Sequence, residues 1–536
     1  MALPGRDTKR VEKENWLATT GSFADAQSPV ANGNALRAKT PSHSFNPQSQ
    51  TAIRTLPIPS AVMPPSDQTS KSKQSFAAPS GTRDLYPLEL AKRRWIEDKW
   101  RKVAVRHGFE EIDGPTFEYT DLYTAKSGEG IVNEIFGTFS GKDEAAVKEM
   151  GERLARGEKA GAPFALRPEF TPTLARMYAA RAGQLPKPCK WFWQGPCYRA
   201  ERPQRGRLRE FWQWNVDILG GDTAASQIAS DVEILACCVD LLESVGLKRD
   251  QVQIRFCSRT TIGALLRLCG VSDHQMAQAL NLLDKRGKIG DVAFLLEAQK
   301  ISPDLMTFWS VAEMLQKEAE SDTRTITVTI PPESSLAGKF SKEVVHVEPL
   351  NELLRGARSS GIDQWLKLDF SIVRGLAYYT GTVFEVIVDG ERAVAGGGRY
   401  DNLIETFGGP PTPAVGFGMG DVVLSLVLQD KGLMPSDKQI AADLGLRPDV
   451  FVISNGQPES DAAVGPMLAQ LRRKGMHARR SYKSTKNVGK LLQDAAACGA
   501  RFAVIIESAS EITLKNMDDN TQEKGPTADL LARLTP

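Results

Sequence analysis

Residues 197–214, CYRAERPQRGRLREFWQW, place five arginines between aromatic flanks in a chain whose formal net charge is only +2. The arginines alternate with small, polar or turn-forming residues, Ala200, Pro203, Gln204 and Gly206 among them. That order excludes an amphipathic helix stripe of period 3.6 and predicts a strand-loop-strand hairpin. A hairpin so dense in guanidinium groups asks what anion it holds.

Bulk composition does not answer. The 536 residues are 41% hydrophobic and 25% charged, the balance of an ordinary globular protein of two to four domains. Any basic surface must be local. Cysteines at 189, 197, 237, 238, 257, 269 and 498 form no CxxC pair and no zinc spacing, so reduced and mostly buried thiols in a cytoplasmic protein are expected. No apolar run reaches the roughly 18 residues that span a bilayer, and no membrane partner is expected.

The chain divides by composition. Residues 1–76 are rich in Ser, Thr, Pro, Asn and Gln and are expected to be a disordered extension, because they lack the apolar residues to offset ordering entropy. A transit peptide for an organelle is the alternative, against which Asp7, Glu12 and Glu14 count. Order should begin at GTRDLYP (81–87), followed by a helix with Trp95, Ile96, Trp100 and Val103 on one side and a stop at Gly108. Residues 77–430 are expected to form one domain, with a Leu-rich helical insertion at about 255–345. Residues 431–446 belong to a stretch that reads as a loop-like linker; 447–536 alternate strand and helix as a small α/β domain with a parallel or mixed sheet.

Several chemistries are absent. There is no GxxxxGK[ST] and no G-x-S-x-G. The five histidines, at 43, 107, 274, 346 and 477, avoid the glycine- and arginine-rich stretches, which speaks against a histidine base or a histidine-ligated metal. Arginines, carboxylates, aromatics and glycines remain. Such a set suits a reaction whose nucleophile is already ionised and whose difficulty is charge repulsion at phosphorus.

Four segments carry that chemistry: ALRPEFTPTLAR (165–176), QGPCYRAERPQRGRLREFWQWNVDILG (194–220), DFSIVRGLAYYTGTVFEV (369–386) and AGGGRYDNLIETFGG with PAVGFGMG (395–420). Together they resemble the catalytic core of the class II aminoacyl-tRNA synthetases, and specifically the histidyl-tRNA synthetase family. The second resembles motif 2, with its R-x-E at Arg199–Glu201; RGLAYYTGTVFE and AGGGRYD resemble the two histidine signatures; GFEEIDGPTFE (108–118) resembles motif 1, the family's dimer interface. Each motif alone is weak, but four in this order are specific. The similarity runs from about 81 to 536, the last part being similar to an anticodon-binding module.

The resemblance implies an α+β fold, an antiparallel catalytic sheet flanked by helices. It implies a homodimer that activates L-histidine with ATP, magnesium accompanying the β- and γ-phosphates, and then charges tRNA(His). No protein-held metal site is implied. Arg199 would hold the α-phosphate, with Glu201 and Phe211 about the adenine and Arg209 also on ATP. Glu169, Thr171 and Gln213 would receive the histidine ammonium, Asp217 and Tyr379 its imidazole, and Tyr400 would line the same pocket. Arg374 would neutralise charge as the carboxylate attacks. Gln204, Arg205 and Arg207 would reach toward the acceptor end of the tRNA, and Arg479 and Arg480 belong to a second basic patch in the C-terminal domain. For Tyr378 and Tyr379, alternate packing on a strand is the plain reading, one of the pair serving only that.

The pattern breaks twice. The family's last motif carries an arginine for the γ-phosphate where this chain has Val423, and Ala377 replaces an acid in RGLAYY. Arg205, Arg207 or Arg209 are candidates to cover that phosphate. The gap also leaves open a catalytically impaired paralogue that senses histidine or tRNA, including one resembling the regulatory subunit of ATP phosphoribosyltransferase.

Overall fold

A computed structural model describes residues 77–125, 134–140, 142, 144–157, 161–286, 289–321, 325–327, 338, 342–372, 378–388 and 391–534. Residues 1–76, for which disorder is expected, lie outside the described residues, as do Arg374 and Ala377.

Up to Gly420 the strands are β1 (Glu110–Glu111), β2 (Phe117–Tyr119), β3 (Gly137–Thr138), β4 (Phe164–Leu166), β5 (Cys189–Tyr198), β6 (Glu210–Leu219), β7 (Gln253–Ser258), β8 (Leu366–Leu368), β9 (Thr382–Ile387), β10 (Ala395–Arg399) and β11 (Ala414–Gly420). Eight of them make one sheet in the order β1-β5-β6-β11-β10-β9-β7-β8. Its inner pairings are antiparallel, while the edge pairs β1–β5 and β7–β8 run parallel. β2, β4 and β3 form a separate small sheet. The arginine-rich segment is the hairpin β5–β6, its strands paired from Cys189↔Leu219 to Tyr198↔Glu210.

The helix Pro87–Arg106 buries Trp95, Ile96, Trp100 and Val103 on one side, with Trp100 stacked on Trp214 of β6 at 6.0 Å. Burying side chains of this size stabilises by about 1.5–3 kcal/mol each, which fixes the helix across the back of the sheet. The helix Ala224–Ser244, begun by a capping box at Thr223 and Ser226, packs on the same side. Between β7 and β8 the described residues hold helices that include Arg259–Leu268, Met276–Asp284, Asp291–Ile301, Thr307–Ala319 and Glu348–Ser359.

The stretch that reads as a loop holds a helix, Asp437–Asp443. Ser436 caps it by accepting from the Gln439 amide, Ile440 is fully buried, and Asp443 accepts from Trp95 Nε1 at 3.0 Å. So short a helix shows no apolar period in sequence; docking on Pro87–Arg106 supplies its stability. The C-terminal sheet contains β12 (Val450–Ser454), β13 (Ala478–Arg480), β14 (Phe502–Ile506), β15 (Glu511–Asn516) and β16 (Gln522–Pro526), in the order β13-β12-β14-β15-β16. It is mixed: β12 pairs parallel to β13 and β14, and the rest are antiparallel. Among the described residues all seven cysteines are unpaired, Cys498 alone being incompletely buried, and no helix is long and apolar enough to cross a membrane.

Candidate functional site

Strand β6 builds the floor of the site by alternation. Trp214, Val216 and Ile218 enter the main core and Trp212 packs against it, so Phe211, Gln213, Asn215 and Asp217 share the other face and line a cleft. The neighbouring strand β11 sets Gly416 opposite Asp217, Gly418 opposite Asn215 and Gly420 opposite Gln213. A Cβ on Gly416 would stand 2.6 Å from the Asp217 Cγ, and one on Gly418 would stand 2.9 Å from the Gln213 Nε2. Glycine on β11 makes the space that the polar side chains of β6 occupy. Gly397 and Gly398 of β10 serve strand approach: a Cβ on Gly398 would meet the Thr382 carbonyl oxygen at 2.5 Å.

The cleft, of about 430 Å³, lies within the range of small-molecule sites. One end is carboxylate-rich. Glu169 precedes the helix Thr171–Ala179 and accepts from the Tyr378 hydroxyl at 3.0 Å; Asp217 accepts from the Tyr400 hydroxyl at 2.5 Å. Burial pushes both carboxyls up to about 7, against the pull of Arg199 and Tyr378 on Glu169, and of Tyr400 and Asn215 on Asp217. Each keeps one buried oxygen, Oε1 of Glu169 and Oδ2 of Asp217, without a hydrogen-bond partner among the described residues. Two buried acceptors facing one cleft fit a ligand that brings N–H donors or positive charge. Asn215 ties this end together, accepting from Gln213 Nε2 at 2.7 Å and donating to Thr171 Oγ1 at 3.2 Å.

The other end is cationic. Arg199 donates Nε to the Pro168 carbonyl at 3.0 Å and lies 5.3 Å from the Phe211 ring. Glu201 is ion-paired with Arg207. Gln204 and Arg207 close the hairpin loop with reciprocal backbone bonds of 3.0 and 2.8 Å, and Gly206 between them has φ +73°, where glycine alone is unstrained. Val423 borders this end and is 7% exposed.

The structure thus gathers Glu169, Thr171, Arg199, Glu201, Arg207, Phe211, Gln213, Asp217, Tyr379 and Tyr400 around one cleft. Other candidates lie elsewhere. Gln204 and Arg205 are on the outer part of the loop, Arg205 paired with Glu391 at 2.7 Å and with Asp430. Arg209 donates to the carbonyls of Glu201 and Ser80 and does not line the cleft. Arg479 and Arg480 are exposed on β13, the edge of the C-terminal sheet, with Arg480 5.1 Å from the Tyr482 ring. Arg374 lies outside the described residues. Tyr378 and Tyr379 precede β9 in a turn rather than alternating along a strand; both line the cleft, and the Tyr378 ring stands edge-on to those of Tyr379 and Tyr400.

Three supporting residues escape a motif reading. Asn215 follows from strand alternation alone, being midway between Gln213 and Asp217. Arg167 donates to the carbonyls of Pro196 and Gly114, both at 2.9 Å, and so joins β5 to the GFEEIDGPTFE segment. Asp421, fully buried, accepts from the Trp212 amide at 2.8 Å and from Arg83 at 2.9 Å. Such long-range polar pairs leave no periodic signal.

Comparison with known proteins agrees with this architecture. A family model described as histidyl-tRNA synthetase matches residues 81–420. A histidine–tRNA ligase of Haloarcula marismortui is 36% identical over 453 residues, 83% of this chain and 94% of that relative. One of Pyrococcus abyssi is 32% identical over 461 residues, 85% of this chain and 97% of the relative. The crystal structure of histidyl-tRNA synthetase from Nostoc sp. PCC 7120 has the same fold, with a TM-score of 0.63 at 23% identity over 86% of this chain and 99% of that one. With the matched segment covering the sheet, the hairpin and all of the cleft lining but Val422 and Val423, the chain belongs to the histidyl-tRNA synthetase family.

Proposed function

We propose that the protein is a histidine–tRNA ligase: it joins L-histidine to ATP as histidyl-adenylate and transfers the histidine to the 3′-terminal ribose of tRNA(His). One observation carries the reading. A single cleft holds two buried carboxylates with unpartnered oxygens at one end and the Arg199–Glu201–Phe211 set at the other.

Histidine enters the carboxylate end. Glu169, Thr171 and Gln213 receive its ammonium, while Asp217 and Tyr379 pair the two imidazole nitrogens and Tyr400 holds Asp217. Another side chain there would leave buried polar groups unpaired, which gives steep discrimination. ATP lies along the hairpin, its α-phosphate on Arg199 and its adenine against Phe211, near Glu201. The substrate carboxylate is ionised at neutral pH and needs no general base. Its oxygen attacks the α-phosphorus, the bond to pyrophosphate breaks, and fixed guanidinium groups offset the repulsion between anions. Arg374 is assigned to that role from its signature. The ribose hydroxyl then attacks the adenylate carbonyl and AMP leaves. Magnesium would accompany ATP, held by phosphate oxygens with one or two carboxylates; Glu385 lines the cleft.

Residues 77–430 would be the catalytic domain, with the insertion at about 255–345; 431–446 connect it to an anticodon-binding domain at 447–536, where Arg479 and Arg480 meet tRNA. A homodimer through the GFEEIDGPTFE region fits the exposure of Phe117 (55%) within it and of Tyr119 (67%) just after it. A cytoplasmic location fits a charging enzyme. Incubation with labelled histidine, ATP and tRNA checks the reading: label should appear esterified to tRNA. Val423 favours one rival, a protein that binds histidine but does not activate it; tight histidine binding without charging would select that rival.

A further inference from the structure

We propose that Asp231 and Arg399 are positioning residues of the histidine subsite: their buried ion pair, on the face of the sheet away from the cleft, fixes Tyr400 and, through its hydroxyl, the Asp217 carboxylate. The inference rests on the proposed ligase reading and adds to it the residues on which recognition of histidine depends at one remove.

Arg399 ends β10 and Tyr400 follows it, so the two side chains leave on opposite faces. Tyr400 lines the cleft, whereas Arg399 reaches the helix Ala224–Ser244 behind the sheet. Arg399 Nε and Nη2 donate to Asp231 Oδ1 at 3.0 and 2.5 Å, Nη2 donates also to the Gln227 carbonyl one turn earlier at 2.7 Å, and Nη1 donates to Asp401 Oδ1 at 3.0 Å. The Thr382 hydroxyl donates to the other oxygen of Asp231 at 2.7 Å, and the Thr380 hydroxyl to the other oxygen of Asp401 at 2.8 Å. A Cβ on Gly381 would stand 3.0 Å from the Arg399 Cδ, so a glycine between the two threonines lets both reach the network. The side chains of Arg399 and Asp231 are 7% and 2% exposed, and all four carboxylate oxygens of Asp231 and Asp401 are engaged.

Stability alone does not call for such a pair, since apolar side chains of like volume are commonly as stable or more so. Its place in the chain does. Arg399 and Asp401 flank Tyr400, and Thr380 follows Tyr379. The Thr380 amide donates to the Arg399 carbonyl and the Tyr400 amide to the Ala414 carbonyl, both at 2.7 Å, while the Ala414 amide donates to Asp401 Oδ1 at 3.2 Å. Tyr400 is thereby held on both sides, and its hydroxyl donates to Asp217 Oδ1 at 2.5 Å, leaving Oδ2 as the buried oxygen without a partner. A binding group works only while its neighbours hold it to within about 0.5 Å. Loosening Arg399 would move Tyr400, and Asp217 would turn with it.

A double-mutant cycle in the full-length protein tests this, with Asp231→Asn, Tyr400→Phe and the two together. Histidine and ATP affinity are measured by calorimetry below the melting temperature of every variant. Asp231→Asn should weaken histidine by about 10-fold and leave ATP within about 2-fold. In the Tyr400→Phe background the same change should cost no more than about 2-fold further, because the hydroxyl through which it acts is gone. If Asp231→Asn does not fold, Thr382→Val, which removes one hydrogen bond from the same carboxylate, takes its place in the cycle, with a loss of about 3-fold expected. Losses that multiply in the double variant, equal losses for histidine and ATP, or unchanged histidine affinity would overturn the assignment. A parent protein that binds histidine and shows the coupling but charges no tRNA would count against the ligase reading alone; one that binds no histidine would overturn both.

Discussion

Gly416 and Asp217 face each other across β11 and β6, with no room for a side chain between the glycine and the carboxylate. Gly416→Ala would drive the new methyl group into Asp217 and turn the carboxylate away from Tyr400. Overpacking of this kind costs about 1–3 kcal/mol. The expected result is a moderately lowered Tm with histidine affinity reduced by about 10-fold or more, read by calorimetry. Unchanged affinity would remove Asp217 from the histidine subsite.

Proton release should accompany histidine binding. Both Glu169 and Asp217 are pushed up to about 7 by burial in the free cleft, so each is largely protonated below that value. A cationic or N–H-donating ligand favours the ionised form and lowers these values, so protons leave on binding and affinity falls as pH drops through about 7. Calorimetry in buffers of different ionisation enthalpy measures the count. Asp217→Asn should release fewer protons than the unaltered protein, the titration of the ligand itself being common to both; equal counts would assign the protons elsewhere.

Asp421 joins three segments far apart in sequence: the 81–87 entry through Arg83, β6 through the Trp212 amide, and its own helix. Asp421→Ala leaves a buried amide unpaired, a loss of about 1–3 kcal/mol, visible as a lower denaturation midpoint with little change in slope. A midpoint within experimental error of the parent would mean that the β6 register is held by the ladder alone.

Replacing Arg479 and Arg480 with glutamate should weaken tRNA binding and flatten its dependence on salt, by about 0.7–0.9 in the log–log slope for each phosphate no longer neutralised. Both side chains are exposed on the edge strand β13, so the substitutions leave the core of that sheet intact. An identical slope would make this patch ordinary solvated surface.

Much of the fold is legible because it obeys short periods. The 197–214 hairpin, the buried tryptophans of Pro87–Arg106 and the apolar strands β12 and β14 each carry a local pattern that burial enforces. The polar face of β6 obeys the same rule, and Asn215 falls on it between Gln213 and Asp217. What does not repeat is not visible. β15 and β16 are largely polar, with Ile512 the one fully buried apolar side chain between Glu511 and Pro526, so their ladder rather than their pattern makes them strands. Tyr378 anchors Glu169 across more than two hundred positions, and Asp421 reaches both Arg83 and the Trp212 amide. Contacts of that kind are properties of the folded chain, and no local spacing announces them.

The most direct test of the account is exchange of labelled pyrophosphate into ATP in the presence of each amino acid in turn, for the unaltered protein and for Arg199→Gln. The account predicts exchange with histidine alone, and its loss in Arg199→Gln while histidine still binds. Exchange that no amino acid supports, in a protein that binds histidine and ATP, would contradict it.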